Sequence, residues 1–253
     1  MAELESRWAT VNGLRVHALV ASGGSGRPAL VFVHGLGVSG RYMVPTAARL
    51  ASEFPVYVPD LPGFGRSARP AHVLTIAELA GVLGEWIDGA ALERPTLVGN
   101  SLGCQVAVEL AVRRLEGVRA AVLAGPTVDG HARSAPRQVL RLLIDSLREP
   151  PSLVPLIARD YLAAGVLRTA LTAREALRDR IELKLPQLSL PTLVVRGSRD
   201  ALVSARWAEE VTRLLPDGRL LVLERAGHVP MFDRPQELNG ALTAFLAGEP
   251  VGE

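Results

Sequence analysis

The chain is poor in several residue types, and each shortage removes a class of function. Cys104 is its one cysteine, so no intrachain disulfide can form and no cysteine cluster can hold a metal. Lys184 is its one lysine; nearly all the basic residues are arginines. They are scattered, and 28 basic residues against 26 acidic ones leave a formal net charge of +2. Without a basic run there is no phosphate-binding patch, so nucleic acid is not an expected partner. No apolar stretch approaches the ~18 residues that a membrane span needs. The first ten residues carry Glu3, Glu5 and Arg7 in place of an apolar signal segment. The expectation is a cytoplasmic protein that neither crosses nor binds a membrane and acts on a small molecule without a cofactor.

What is present is an ordinary globular composition, 48% hydrophobic and 21% charged over 253 residues, enough for one large α/β domain. Alternating runs at 8–11 and 14–20 flank Asn12-Gly13, the strongest short signal for a hairpin. Gly23-Gly24-Ser25-Gly26 reads as a flexible turn. Then short apolar runs alternate with stretches of helical spacing. Strands are predicted at 29–33, 56–58, 96–98, 118–123, 192–195 and 220–223. Helices are predicted at 44–51, 76–87, 102–114, 205–215 and 235–246. Continuously apolar strands separated by helices predict a mostly parallel sheet covered on both faces. The alternation stops between 127 and 185, where only helical spacing occurs, broken by Pro136, Pro150, Pro151 and Pro155. Residues 1–126 and 186–253 are therefore read as the core, and 127–185 as a helical insertion. Within it Leu140, Leu143, Leu147, Leu153, Leu156 and Ile157 recur at near-helical spacing, which predicts packing on the core with the arginines turned to water.

Gly99-Asn100-Ser101-Leu102-Gly103 fits the G-x-S-x-G nucleophile elbow, and it lies where the elbow belongs, between a strand and a helix. The bland alternative is a glycine-rich turn, at most an anion site at a helix N-terminus. A serine hydroxyl needs a base. His228, in a loop after the strand at 220–223, is the best-placed of five histidines, although a lone loop histidine is usually plain surface. Elbow serines are followed in the chain by an acid and then the histidine. Asp200, after the strand at 192–195, suits that order, and Asp129, after the strand at 118–123, is its rival. The backbone N–H groups of Leu36 and Leu102 are candidate oxyanion donors. His34 then braces the loop that carries Leu36. Cys104, in the first turn of the helix, reads as a buried packing residue.

Together His34-Gly35, the Asp60 to Ser67 loop, the Ser101 elbow, Gly197 to Asp200 and Gly227-His228 resemble the α/β-hydrolase superfamily. The resemblance spans nearly the whole chain outside the insertion. It implies an α/β sheet with a helical cap, a mainly structural Asp60 to Ser67 loop, and an insertion that forms a mobile cover over the site. It also implies a catalytic Ser101, Asp200 and His228, with Leu36 and Leu102 holding the oxyanion. The expected reaction is cleavage of a small carboxylic ester, lactone or related acyl substrate through an acyl-enzyme. Asn100 resembles the elbow of carbon–carbon bond hydrolases that act on diketone ring-fission products, which is the alternative. Leu36 and Cys104 stand where those enzymes usually have glycine. A ligand-binding receptor on the same fold is the non-enzymatic reading. An unperturbed histidine base predicts activity that rises through about pH 6 to 7.

Overall fold

The computed structural model describes residues 2–24 and 26–251, so Ser25 of the glycine-rich turn lies outside them. Asn12 and Gly13 both take positive φ, 49° and 76°, the combination of a two-residue type I′ turn. They join β1 (Glu5–Val11) to β2 (Leu14–Ala21) in the predicted hairpin. The chain then alternates through β3 (Leu30–Val33), α1 (Val44–Leu50), β4 (Val56–Pro59), α2 (Ile76–Gly89), β5 (Thr96–Asn100), α3 (Leu102–Arg113) and β6 (Ala120–Ala124). Four helices follow: α4 (Ala135–Ser146), α5 (Val154–Ala164), α6 (Val166–Arg178) and α7 (Ile181–Lys184). The alternation resumes with β7 (Thr192–Gly197), α8 (Ala205–Leu214), β8 (Gly218–Leu223), α9 (Pro230–Asp233) and α10 (Pro235–Ala247).

The strands form one eight-stranded sheet, ordered β1-β2-β4-β3-β5-β6-β7-β8. β1 and β4 both run antiparallel to β2, and every pairing from β4 to β8 is parallel. Consecutive strand residues serve opposite faces, which is why the strands read as unbroken apolar runs. Val31, Val33, Leu97 and Val194 join the core under α2, α3 and α8. Leu30, Phe32, Val98 and Val195 join the other core, under α1 and α10. Thr75 and Glu78 start α2 with a reciprocal capping box.

The buried Asp60, just past β4, works as a fastener. Its carboxylate accepts from His17 on β2 at 2.9 Å, from Gly40 N–H at 2.9 Å and from Arg66 N–H at 2.9 Å. The Asp60 to Ser67 loop is thus structural, as the resemblance implied.

One expectation is reversed. Leu140, Leu143 and Leu147 do not meet the core; they are 58%, 60% and 88% exposed. Two of the arginines turn inward instead. Arg141 donates to Asp129 at 2.6 Å and to the Leu202 carbonyl at 3.1 Å. Arg133 donates to Glu182 at 2.7 Å and to the Asp179 carbonyl at 2.6 Å. Helical spacing groups residues on one face but does not say what that face meets. Leu153 is fully buried, and Leu156 and Ile157 pack on the core as expected.

The turn from β5 into α3 tolerates no added atoms. A Cβ on Gly103 would stand 2.0 Å from the Val33 carbonyl oxygen, and one on Gly99 would stand 2.7 Å from the Gly103 carbonyl oxygen. Both neighbours are backbone and cannot swing aside. Gly103→Ala should therefore cost about 1–3 kcal/mol through overpacking. For a chain of this size that lowers Tm by roughly 2–4 °C per kcal/mol, as scanning calorimetry would read. An unchanged Tm would show that β3 and α3 can part freely.

Candidate active site

The residues singled out by motif come together beyond the C-terminal ends of β3, β5, β7 and β8, where open parallel sheets hold their ligands. Ser101 sits between β5 and α3 at φ 56°. A side chain at such an angle is strained, and strain of this kind gathers at functional sites. The turn lifts Ser101 into a cavity of about 410 Å³ that Leu36, Leu102 and His228 also line. Gly35 comes so close that a Cβ there would meet the Ser101 Cβ at 3.2 Å, which brings the Leu36 backbone to the serine. Leu102 is the first residue of α3, and N–H groups in a first helical turn lack intrahelical partners. Leu36 and Leu102 both line the cavity beside Ser101.

His228 Nδ1 donates to Asp200 Oδ2 at 2.8 Å. The other oxygen of Asp200 accepts from Leu202 N–H at 2.8 Å and Val203 N–H at 2.9 Å. Both residues are buried. Gly125, after β6, makes room for the pair, since a Cβ there would lie 2.7 Å from the imidazole Cε1. His228 Nε2 is buried and has no hydrogen-bond partner among the described residues. An orphaned buried ring nitrogen is uncommon; this one belongs to a ring that faces the same cavity as Ser101.

Asp129, the rival acid, goes elsewhere. It accepts from Arg141, from Ser204 Oγ at 2.9 Å and from His131 N–H at 2.9 Å, and so ties α4 to the start of α8. Burial works to raise its pKa, but Arg141 and the other donors hold it below the usual carboxylate range. Cys104 is fully buried and burial pushes its thiol pKa up, so it is an inert packing residue. His34 is fixed as a brace: it accepts from Leu61 N–H at 2.9 Å and donates to the Gly35 carbonyl at 2.8 Å. Burial lowers its pKa and keeps it neutral.

Several residues of the site escaped motif reading. Tyr42 accepts from Gly35 N–H at 2.9 Å and donates to Asn100 Oδ1 at 2.8 Å. The Asn100 amide donates to the carbonyls of Ala124 and His228 at 3.0 and 3.1 Å. Three acids from the helical insertion each hold a different loop of the site. Asp160 accepts from Ser39 N–H and Oγ in the loop after β3. Asp145 accepts from Ala201 N–H beside Asp200, at 3.0 Å. Glu149 accepts from the N–H groups of His228 at 2.7 Å and Val229 at 3.2 Å. Each of these three acids ties the helical insertion to a loop of the site. The only trace in the sequence is an acid pair, Asp145 and Glu149, spaced four apart at the end of a leucine-rich helix.

These carboxyls set the electrostatics. Burial, then the charge of Asp145, raises Glu149 to about 7; burial also raises Asp145. For His228 burial works downward, but Asp200, aided by Asp145 and Glu149, outweighs it and leaves the pKa raised to about 9. This corrects the expectation of an unperturbed histidine. A base must be neutral, so a raised pKa moves the rise of activity to higher pH.

Two predictions follow from this geometry. Asp200→Asn should lower kcat by about 10³–10⁴-fold, whereas Asp129→Asn should lower thermal stability and leave most of kcat; the reverse result would move the acid to the β6 loop. The acid limb of the kcat/KM profile should lie well above pH 7, near 9. Glu149→Gln keeps an acceptor for the His228 N–H but removes a charge that favours the imidazolium, so it should shift that limb downward. A limb between pH 6 and 7 in both enzymes would show that the carboxyls do not act on His228.

Comparison with known proteins agrees with the architecture. The model of an alpha/beta hydrolase family matches residues 30–241. A pimeloyl-[acyl-carrier protein] methyl ester esterase of Xanthomonas axonopodis pv. citri is 30% identical, over 88% of this chain and 96% of its own. The dihydrolipoyllysine-residue acetyltransferase component of an acetoin cleaving system, from Cupriavidus necator, is 26% identical over 96% of this chain and 69% of its own. The crystal structure of a bacterial membrane phospholipase A superposes with a TM-score of 0.83 at 27% identity, covering 97% of this chain and 86% of that one. With its eight-stranded sheet, its serine elbow and a family match over most of its length, the chain belongs to the alpha/beta hydrolase family and is an enzyme of it.

Proposed function

We propose that the protein hydrolyses a small carboxylic ester, lactone or related acyl substrate through an acyl-enzyme on Ser101. The observation that carries this reading is the presence, in the wall of one largely apolar cavity, of an elbow serine at positive φ and a buried imidazole whose Nε2 has no hydrogen-bond partner among the described residues. Ser101 Oγ attacks the acyl carbon while His228 Nε2 takes its proton. Asp200 orients the ring and stabilises the imidazolium. The Leu36 and Leu102 N–H groups hold the oxyanion. His228 returns the proton to the departing alkoxide as the carbon–oxygen bond breaks. Water, deprotonated by the same nitrogen, then releases the acid and regenerates Ser101. The insertion at 127–185 acts as a cap, since α4, α5 and α6 supply residues to the cavity wall. A relative named as a methyl ester esterase supports an ester as the bond broken.

The carbon–carbon alternative has less support. Its substrate carries a carboxylate beside the diketone. The cavity offers the carboxyls of Asp145 and Glu149 in its wall, while Arg133 and Arg141 are engaged with protein acceptors. The Asn100 amide is committed to the carbonyls of Ala124 and His228.

Ser101→Ala should abolish turnover with the fold intact, save a residual ~10³-fold rate over water from the oxyanion donors. A fluorophosphonate should label Ser101 alone; labelling of another serine, or none, would remove the nucleophile. Each buried CH₂ contributes about 0.8 kcal/mol, so two or three further acyl methylenes should raise kcat/KM by ~10–50-fold. A ring-fission diketone turned over faster than every ester would overturn the substrate class while leaving the serine in place.

A further inference from the structure

The reversed orientation of α4 has a physical cost in water. Three of its polar side chains are spent on the protein: Gln138 donates to the Ala132 carbonyl at 2.8 Å, Arg141 reaches Asp129, and Asp145 accepts from Ala201 N–H. Its apolar side chains look outward: Leu140, Leu143, Ile144 and, just past its end, Leu147 are all exposed. A second exposed apolar group, Leu162, Val166 and Leu167, lies at the turn between α5 and α6. Apolar clusters of this kind on a soluble domain mark interaction sites.

The charge around them is one-sided. Among the seven acids of 127–185, Asp129, Asp145 and Asp160 are buried, and Glu149, Glu175, Asp179 and Glu182 are half-buried. The exposed charged residues of the same segment are all arginines: Arg137, Arg148, Arg159 and Arg174, together with Arg178 and Arg180, which pair with Glu175 and Glu182. Arg137 shares a helix face with Leu140 and Ile144, at i, i+3 and i+7; Arg159 shares one with Leu162, at i, i+3. Each apolar group thus carries an arginine on its own face. The patch also continues into the site, because Val139, Leu142 and Val154 are both exposed and part of the cavity wall.

We infer that the exposed apolar faces of α4 and the α5–α6 turn, with their arginines, dock on an anionic lipid surface, against which the mouth of the cavity then opens. A lipid surface of this kind supplies both things the patch lacks, an apolar layer for the leucines and negative headgroups for the guanidinium groups. A second copy of the chain meets the apolar requirement only, since a twofold contact pairs the patch with itself and the patch exposes no acid to meet its arginines. The contact is peripheral: among the described residues no helix is long and apolar enough to cross a membrane. Sequence reading, which looked for a span or a basic run, had no signal for it.

The test is co-sedimentation of the full chain with large vesicles of phosphatidylcholine containing about one third phosphatidylglycerol. Binding is expected there and about tenfold weaker on pure phosphatidylcholine. The variant Leu140→Ser/Leu143→Ser/Leu147→Ser should weaken it at least about tenfold and leave turnover of a water-soluble short ester unchanged. None of those three residues lines the cavity. Arg137→Gln and Arg159→Gln should each weaken it about fivefold. Ser101→Ala should bind as the wild type does, so the result stands apart from the catalytic reading. Failure to sediment, or sedimentation unmoved by the leucine changes, overturns the proposal. A dimer by light scattering that the leucine changes dissolve, without vesicle binding, overturns it too and assigns the patch to a second copy.

Discussion

A buried amide must find partners for its polar atoms or leave them unpaired at a cost of about 1–3 kcal/mol each. Asn100, the last residue of β5, satisfies that demand by joining three loops. Its oxygen takes the Tyr42 hydroxyl, which in turn holds Gly35 N–H in the loop after β3. Its nitrogen donates to Ala124 at the end of β6 and to the His228 carbonyl after β8. Ser101 is the next residue, so Ser101, the loop after β3 and His228 share one fixed point. The fully buried Asn100 is therefore part of the frame of the site, and its resemblance to the elbow of carbon–carbon hydrolases has a structural explanation that involves no substrate.

Around this frame the protein gathers negative charge on a single imidazole. Asp200 is hydrogen-bonded to it, and Asp145 and Glu149 approach from the helical insertion. Burial strengthens these interactions because little water screens them. The same burial raises the pKa of both outer carboxyls, Glu149 to about 7. Residues 127–185 therefore do more than line the cavity: Glu149 and Asp145 act on the position and the charge of His228. Glu149, just past the end of α4, holds the His228 N–H directly, and Asp145 on α4 holds Ala201 N–H beside Asp200.

Chemical and spatial complementarity explain why the insertion can hold its place with little apolar contact from α4. Asp145, Asp160, Glu149 and Arg141, which donates to the Leu202 carbonyl, make directed contacts to loops at the rim of the sheet. They release the leucines of α4 from any duty to the core and leave them at the surface.

Much of this was legible in the chain itself. Asn12-Gly13 set the hairpin, the unbroken apolar runs set the parallel sheet, and glycines around Ser101 marked the elbow, because each is a local rule in which a few adjacent residues decide the backbone. The order of serine, acid and histidine followed from the order of the strands. Tertiary structure alone decided what depends on residues far apart in the chain. It chose Asp200 over Asp129, since both follow strands and only the register of β7 beside β8 puts one of them against His228. It raised the pKa of that histidine chiefly by setting Asp200 against it, with Asp145 and Glu149 from the insertion adding to the effect. It also turned α4 leucines outward, because helical spacing fixes which residues share a face, while the surface that face meets is set by every other element of the fold.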